Sequence, residues 1–158
     1  MAANEKTPVA VVMGSQSDRE TMRACVDTLK YFDIEPVVHV ISAHRTPRVA
    51  AEFAETAAGQ GIKIIIAAAG MAAHLAGAIA ARTSLPVIGV PLAASQGLGG
   101  IDALLSTVQM PGGVPVATVS IGSAGAKNAA VLAVQILALS DEKLASRLAD
   151  FRKAQEKN

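Results

Sequence analysis

Aromatic side chains and charges are both scarce in this sequence. Aromatic residues make up 3% of its 158 residues, with one tyrosine and no tryptophan. The core must therefore be built from Ala, Val, Ile and Leu, whose small side chains let backbones approach closely. Charged residues make up only 17% and hydrophobic residues 51%. A chain this apolar has more surface to bury than one domain of its length can hide, which predicts association into an oligomer.

The charge balance and the single cysteine exclude several classes of protein. The formal net charge is +1, so no overall field attracts nucleic acid or an anionic membrane. Cys25 cannot form an internal disulfide, which favours a reducing, cytoplasmic compartment. No Cys, His and carboxylate group has metal-ligand spacing, so we expect no metal. Residues 1–7 contain no apolar signal segment and are predicted to be a frayed tail.

One uncharged run, from Ile64 to Ala81, is long enough for a membrane span. Most of it is Ala and Gly, which insert weakly into lipid, and it contains His74. The run also divides at Gly70 into a β-branched strand and an Ala-rich helix. We therefore predict a water-soluble chain without a membrane segment.

Five β-rich runs alternate with helical patterns along the chain. The predicted strands are Pro8–Met13, Val37–Ile41, Ile62–Ala67, Pro86–Val90 and Pro115–Val119. The predicted helices are Asp18–Tyr31, a helix that starts at Pro47 after Thr46 as N-cap and ends by Gly61, Met71–Ala81, Ile101–Gln109, Lys127–Leu139 and Asp141–Gln155. This alternation predicts one doubly wound, three-layer α/β domain over residues 1–158, with a central five-stranded parallel sheet.

Three of the helical patterns differ in their polar faces. Residues 141–158 form an amphipathic C-terminal segment with Ser140 as its predicted N-cap. Met71–Ala81 and most of Lys127–Leu139 instead lack a polar face. A helix that is apolar all round must be buried all round, and the sheet covers only one side. The other side is predicted to be an interface between copies of the chain.

Polar residues follow the first strand, where a doubly wound sheet binds its ligands. Gly14 permits a tight turn, and Ser15 and Ser17 offer hydroxyls to a phosphate beside a helix N-terminus. Asp18 suits the hydroxyls of a ribose. Helix capping by Ser17 or Asp18 explains the same residues without a ligand, and both interpretations stay open here.

The second and third strands are followed by histidines. In Ser42-Ala43-His44-Arg45, the guanidinium of Arg45 is a planar fork suited to phosphate. Histidine gives and takes protons near neutral pH, so His44 is the candidate general acid/base, although a lone loop histidine is often only solvated. The third loop sets small residues around one imidazole and contains Gly70, Ala72, His74 and Leu75. His39 is predicted to be structural, and the loop from Ala94 to Gly100 to be a flexible cover over this edge.

Seven ordered motifs together resemble one enzyme family. They are VVMGSQSD (Val11–Asp18), SAHRTP (Ser42–Pro47), AAHL (Ala72–Leu75), LPVIGVP (Leu85–Pro91), VQMPGGVPVATV (Val108–Val119), KNAA (Lys127–Ala130) and FRKAQ (Phe151–Gln155). In this order and spacing the chain resembles the 5-(carboxyamino)imidazole ribonucleotide mutases of purine biosynthesis. The likeness covers nearly the whole sequence.

The resemblance implies a flavodoxin-like fold assembled as a homo-octamer, with no metal and no cofactor. It implies an isomerase that converts 5-(carboxyamino)imidazole ribonucleotide to 5-amino-4-carboxyimidazole ribonucleotide by decarboxylation and recapture of CO2. His44 would be its general acid/base. The ribose and phosphate would be held by Ser15, Asp18, Ser42 and Arg45, and the migrating carboxyl group at Gly70, Ala72, His74 and Leu75. Ser17 and Ala43 would also belong to the substrate site.

Two other functions stay open at the level of sequence. A sister class with the same fold carboxylates aminoimidazole ribonucleotide directly with CO2, and typically has AHK where this chain has Ala43-His44-Arg45. A non-enzymatic nucleotide-binding module is the alternative of a different class, although the scarcity of aromatics counts against a flavin. The chain departs from the usual mutase pattern at Met71, which replaces Gly, and at Ala76, which replaces Pro.

Overall fold

A computed structural model of the chain describes residues 7–156. The predicted frayed tail, apart from Thr7, lies outside the described residues, as do the last two positions of the C-terminal segment. Among the residues described, no helix is long and apolar enough to cross a membrane.

In the described part of the chain, five strands form one parallel sheet in the order β2-β1-β3-β4-β5. They are β1 Val9–Met13, β2 Val37–Val40, β3 Ile64–Gly70, β4 Val87–Leu92 and β5 Ala117–Thr118. The strand order changes direction between β1 and β3, because β2 lies on one side of β1 and the later strands on the other. The predicted five-stranded, flavodoxin-like α/β fold is confirmed.

The central strands are buried on both faces because helices cover both sides of the sheet. In β1, Val9, Val11 and Met13 enter one core cluster. Ala10 and Val12 enter the other cluster. This alternation follows from the two-residue side-chain period of a strand, and it explains why the strand reads as one continuous apolar run.

Within residues 7–156, six helices fill the two outer layers. They are α1 Arg19–Tyr31, α2 Pro47–Thr56, α3 Leu75–Ala80, α4 Ile101–Val108, α5 Gly122–Ala138 and α6 Glu142–Gln155. Short 3-10 turns precede α1 at Gln16–Asp18 and follow α2 at Ala58–Gln60. The cluster that contains Met13 packs against α1, α5 and α6, and the other cluster packs against α2 and α3.

The predicted helix Met71–Ala81 is wrong over its first turn. Strand β3 continues to Gly70, and the helix begins only at Leu75. Met71 has a φ of 55°, a left-handed conformation that a right-handed helix cannot contain. The backbone N–H of Ala73 then donates to the Met71 carbonyl at 2.8 Å, which forms a tight turn in place of a helical one.

Two predicted N-caps also differ from the structure. Asp141 rather than Ser140 caps α6, because its carboxylate accepts a hydrogen bond from the Leu144 N–H at 3.0 Å. Thr46 precedes α2 as expected, but its hydroxyl donates to the Ser42 carbonyl at 2.9 Å and does not cap the helix. The Thr46 side chain therefore braces the loop after β2.

The side of the helix around Lys127–Leu139 that was predicted to be an interface is only partly covered by the chain itself. Helix α5 packs against both α1 and α6, and eight of its 17 residues are buried, whereas Lys127, Asn128 and Gln135 are exposed. Exposed apolar side chains lie on α4 instead, where Ile101, Leu105 and Val108 form one stripe at helical spacing. The nearby Leu98 is 75% exposed.

Candidate active site

A cavity of about 490 Å³ lies at the carboxyl ends of β1, β2 and β3, where the strand order changes direction. Because parallel strands end at the same edge of a sheet, the three loops that follow them meet there. The structure brings together every residue that the sequence predicted for the site. These residues are Ser15, Ser17, Asp18, Ser42, Ala43, His44, Arg45, Gly70, Ala72, His74 and Leu75.

The loop after β1 is held by a reciprocal capping arrangement. The backbone N–H of Ser15 donates to Oδ2 of Asp18 at 2.9 Å, and the Ser15 hydroxyl accepts from the backbone N–H and the hydroxyl of Ser17. Ser15 therefore caps the 3-10 turn Gln16–Asp18, whereas Asp18 is the N-cap residue of α1, as one of the two predicted caps, without a side-chain capping hydrogen bond. Partial burial raises the pKa of Asp18, and the hydrogen bonds from Ser15 and Ser17 offset part of this effect.

The loop after β2 fixes the guanidinium of Arg45. The Ser42 hydroxyl accepts hydrogen bonds from the backbone N–H of Arg45 at 3.1 Å and from Nε at 3.4 Å. Nη2 of Arg45 donates to the carbonyl of Gly14 at 3.4 Å, which ties this loop to the one after β1. No carboxylate within residues 7–156 forms an ion pair with Arg45, so its charge can bind an anionic ligand.

The two histidines of the site face each other directly. Nε2 of His44 lies 2.7 Å from Nδ1 of His74, and the ring planes are nearly perpendicular at 86°. One of these two nitrogens must donate the hydrogen and the other must accept it. The contact therefore joins the two rings through one shared hydrogen.

The remaining wall of the cavity is apolar and built from small side chains. Gly70 lets the loop after β4 approach, since an added Cβ would lie 3.1 Å from the Leu92 carbonyl oxygen and 3.3 Å from the Ala94 Cβ. The apolar wall consists of Ala43, Ala69, Gly70, Met71, Ala72, Leu75 and Ala94. Such a wall suits a small apolar species.

Four residues of the cavity were not among the predicted site residues: Gly14, Ala69, Met71 and Ala94. Ala69 was missed because the third strand was predicted to end at Ala67. Ala94 reaches the cavity only through the close approach at Gly70, although the loop that starts there had been predicted to cover this edge. His39 lies outside the cavity, with its ring 5.0 Å from that of Phe53.

Within the described part of the chain, no three His, Cys, Asp or Glu side chains come together in a way that could hold a metal ion. The polar groups of the cavity are suited to hydrogen bonding, anion binding and proton transfer.

The family model described as AIR carboxylase matches residues 8–158. The chain belongs to the AIR carboxylase family. Its curated relatives include N5-carboxyaminoimidazole ribonucleotide mutases from several bacteria. The mutase of Bacillus subtilis is 58% identical over 144 residues, which cover 91% of this chain and 88% of the relative. The mutase of Brucella melitensis is 56% identical over 147 residues, which cover 93% and 90%.

The similarity extends to other organisms and to a solved structure. The mutase of Escherichia coli K12 is 53% identical over 152 residues, which cover 96% of this chain and 89% of the relative. The crystal structure of Treponema denticola PurE superposes with a TM-score of 0.84 at 27% identity, and covers 94% of this chain and 91% of that one. The resemblance identified from the sequence motifs is confirmed.

Proposed function

We propose that this family member is an isomerase that converts 5-(carboxyamino)imidazole ribonucleotide to 5-amino-4-carboxyimidazole ribonucleotide in purine biosynthesis. The observation that carries the proposal is a proton-handling histidine pair set against an apolar wall in one cavity. The relatives at 53–58% identity are all named as mutases, which confirms the interpretation as a mutase over a non-enzymatic nucleotide-binding module. We further propose that residues 1–158 act as one catalytic domain in the cytoplasm.

The polar side of the cavity would bind the ribonucleotide. The Arg45 guanidinium, together with the hydroxyls of Ser15 and Ser42, offers positive charge and donors to the phosphate. The carboxylate of Asp18 offers an acceptor to the ribose hydroxyls. The ribose and phosphate are the same in substrate and product. Binding them would hold the imidazole against His44 while the carboxyl group moves.

The reaction begins with a proton from His44. Protonation of the carbamate nitrogen lets the N–C bond break, and its electron pair stays on nitrogen while CO2 leaves. The resulting aminoimidazole is enamine-like, so its ring carbon attacks CO2 and forms the new C–C bond. His44 is neutral after the first step and removes the proton from that carbon, which restores aromaticity.

His74 would assist this cycle by facing His44. Its Nδ1 holds the His44 ring through the 2.7 Å contact, and either nitrogen can carry the shared hydrogen. A ring held in this way is oriented for both proton transfers, which act on neighbouring atoms of the same substrate. His74 is thus proposed to position His44.

The direct carboxylase is the second candidate function, because it shares the fold and gives the family its name. The names of the relatives favour the mutase. The test supplies purified protein either with the carbamate or with aminoimidazole ribonucleotide and bicarbonate, and follows formation of the 4-carboxylated product. We expect fast turnover of the carbamate and slow turnover of the second mixture. The reverse order would overturn the proposal.

We also propose that the chain acts as a homo-oligomer, with the octamer as the expected assembly. Support comes from the α4 stripe, in which Ile101, Leu105 and Val108 are each about half exposed. Exposed apolar stripes of this kind are typical of protein–protein contacts. The substrate and CO2 are the only small-molecule partners in this proposal.

A further inference from the structure

Met71 holds an unfavourable backbone conformation beside the active-site cavity. Among residues 7–156, Met71 and Asp33 are the only non-glycine residues with a positive φ, at 55° and 59°. Residues with a Cβ avoid this region, and aspartate tolerates it better than methionine does. Where such a conformation persists, the surroundings must impose it, and such residues cluster at functional sites.

The neighbours of Met71 fix its position at the rim. Gly70 is packed against the carbonyl of Leu92 and the Cβ of Ala94, and the Met71 carbonyl accepts the Ala73 N–H at 2.8 Å. Met71 lines the cavity and is also 47% exposed to solvent. It therefore lies at the boundary between the cavity and bulk water.

Met71 is the only long apolar side chain at that boundary among the cavity-lining residues described. Leu75, the other long apolar residue of the wall, is 3% exposed and belongs to the interior. The remaining apolar lining residues are Ala and Gly, which cannot reach across an opening. Methionine is unbranched and flexible, so it can cover an irregular gap and still move aside for a ligand.

We propose that Met71 determines whether CO2 is retained, by covering the apolar end of the cavity between the two steps. This inference rests on the proposed mutase function. When CO2 is retained, the same carbon atom leaves the exocyclic nitrogen and is captured by the ring carbon. When it escapes, CO2 is hydrated to bicarbonate and a proton, and the aminoimidazole ribonucleotide is left without its carboxyl group.

The test measures exchange of the migrating carboxyl group with solvent. Unlabelled carbamate is converted in buffer that contains ¹³C-bicarbonate and carbonic anhydrase, and mass spectrometry gives the labelled fraction of the product at early conversion. An enzyme-free sample corrects for spontaneous loss of CO2. We expect little label in the product of the unaltered chain, and a several-fold larger labelled fraction with Met71→Gly and Met71→Ala.

Two further variants separate covering of the cavity from the general effects of changing a residue with a positive φ. Met71→Leu keeps a long apolar side chain and is expected to give the low labelled fraction of the unaltered chain. Asp33→Gly changes the other positive-φ residue at the opposite edge of the sheet, and is expected to leave labelling unchanged. Glycine adopts the required φ readily, so Met71→Gly retains the fold.

The outcomes distinguish this inference from the proposed function. An active Met71→Gly variant with unchanged labelling, or equal labelling with Met71→Leu and Met71→Gly, would overturn the role of Met71 and leave the mutase intact. Heavy labelling with the unaltered chain would also overturn it, because CO2 would not be retained. If the unaltered chain forms no 4-carboxylated product from the carbamate, both proposals are wrong.

Discussion

His44 and Arg45 are neighbours in sequence but face different partners. The Arg45 guanidinium is tied to Ser42 and to the Gly14 carbonyl, whereas the His44 ring is turned toward His74. One short loop thereby presents an anion-binding group and a proton carrier to the same cavity. This separation lets the substrate be bound by one half of the loop while the other half acts on it.

Asp18 gives a prediction about pH and stability. Burial raises its pKa above the ordinary 3.8, so just above pH 3.8 the folded chain binds more protons at this site than the unfolded chain. The free energy of unfolding therefore falls as pH rises through this interval. Asp18→Asn keeps an oxygen that can accept from the Ser15 N–H but does not titrate, so the variant is expected to lose this fall. Denaturant titrations at stepped pH check the prediction.

The test of Asp18 depends only on whether the stability difference between Asp18→Asn and the unaltered chain rises or falls with pH. The stability of Asp18→Asn relative to the unaltered chain should rise from pH 3.8 upward and then level off. If the relative stability fell with pH instead, the hydrogen bonds from Ser15 and Ser17, rather than burial, would dominate the environment of the carboxylate.

The position of the site was predictable because polar residues follow several strands in the sequence. The rule that the carboxyl ends of parallel strands share one edge brings Ser15, Arg45 and His44 together, and the family resemblance then assigned their roles. The 2.7 Å contact between His44 and His74 was not predictable, because it depends on a turn shaped by the left-handed conformation of Met71. Apolar spacing carries no information about that conformation.

Elements were predicted best where burial dictates the residue pattern. Strand β1 has every residue buried and was identified as a strand from its apolar run alone. Strand β5 was predicted as Pro115–Val119 but contains only Ala117–Thr118, paired with β4 alone. An edge strand ends where its single neighbour stops pairing with it. The residues of the edge strand alone therefore do not show where it ends.

The packing of β4 against α4 gives a prediction about stability. An added Cβ at Gly89 would lie 2.4 Å from Cγ2 of Thr107 and 2.8 Å from Cγ1 of Val116. Gly89→Ala is therefore expected to destabilise the fold by about 1–3 kcal/mol, which is typical of overpacked cores. The measurement is the midpoint of denaturant unfolding, compared between variants whose free energy of unfolding has the same dependence on denaturant concentration.

Gly112 provides the matched control for Gly89. A Cβ at this position would meet no atom within 4 Å, so Gly112→Ala should leave the midpoint nearly unchanged. Equal midpoints for the two variants would mean that α4 moves freely away from the sheet, contrary to the tight packing seen at Gly89.

At the level of the whole molecule, the sequence predicted an oligomer for a reason that is only partly correct. Helices α1 and α6 of the same chain cover much of the apolar surface of α5, and its exposed residues include Lys127, Asn128 and Gln135. Half of the large exposed apolar side chains described lie together on α4 and on the loop before it, at Leu98, Ile101, Leu105 and Val108. Composition predicts how much apolar surface there is, but the order of the helices in space decides which face is left uncovered.

The α4 stripe gives a prediction about assembly. Leu105 lies in its middle and is 52% exposed, so Leu105→Lys places a charge in the proposed contact. We expect sedimentation velocity to show a smaller species for this variant than for the unaltered chain. Leu139→Lys is the control, because Leu139 is 88% exposed and lies beyond α5. An unaltered sedimentation coefficient for Leu105→Lys would exclude this stripe from the interface.

The most direct test of the mechanism is turnover and binding by His44→Asn, measured side by side. We expect turnover of the carbamate to fall at least about a hundredfold, the lower end for loss of a general acid/base. Calorimetric binding of aminoimidazole ribonucleotide should be retained, and His39→Asn, outside the cavity, should keep its turnover. Turnover of His44→Asn close to that of the unaltered chain would contradict the assignment of His44 as the proton carrier.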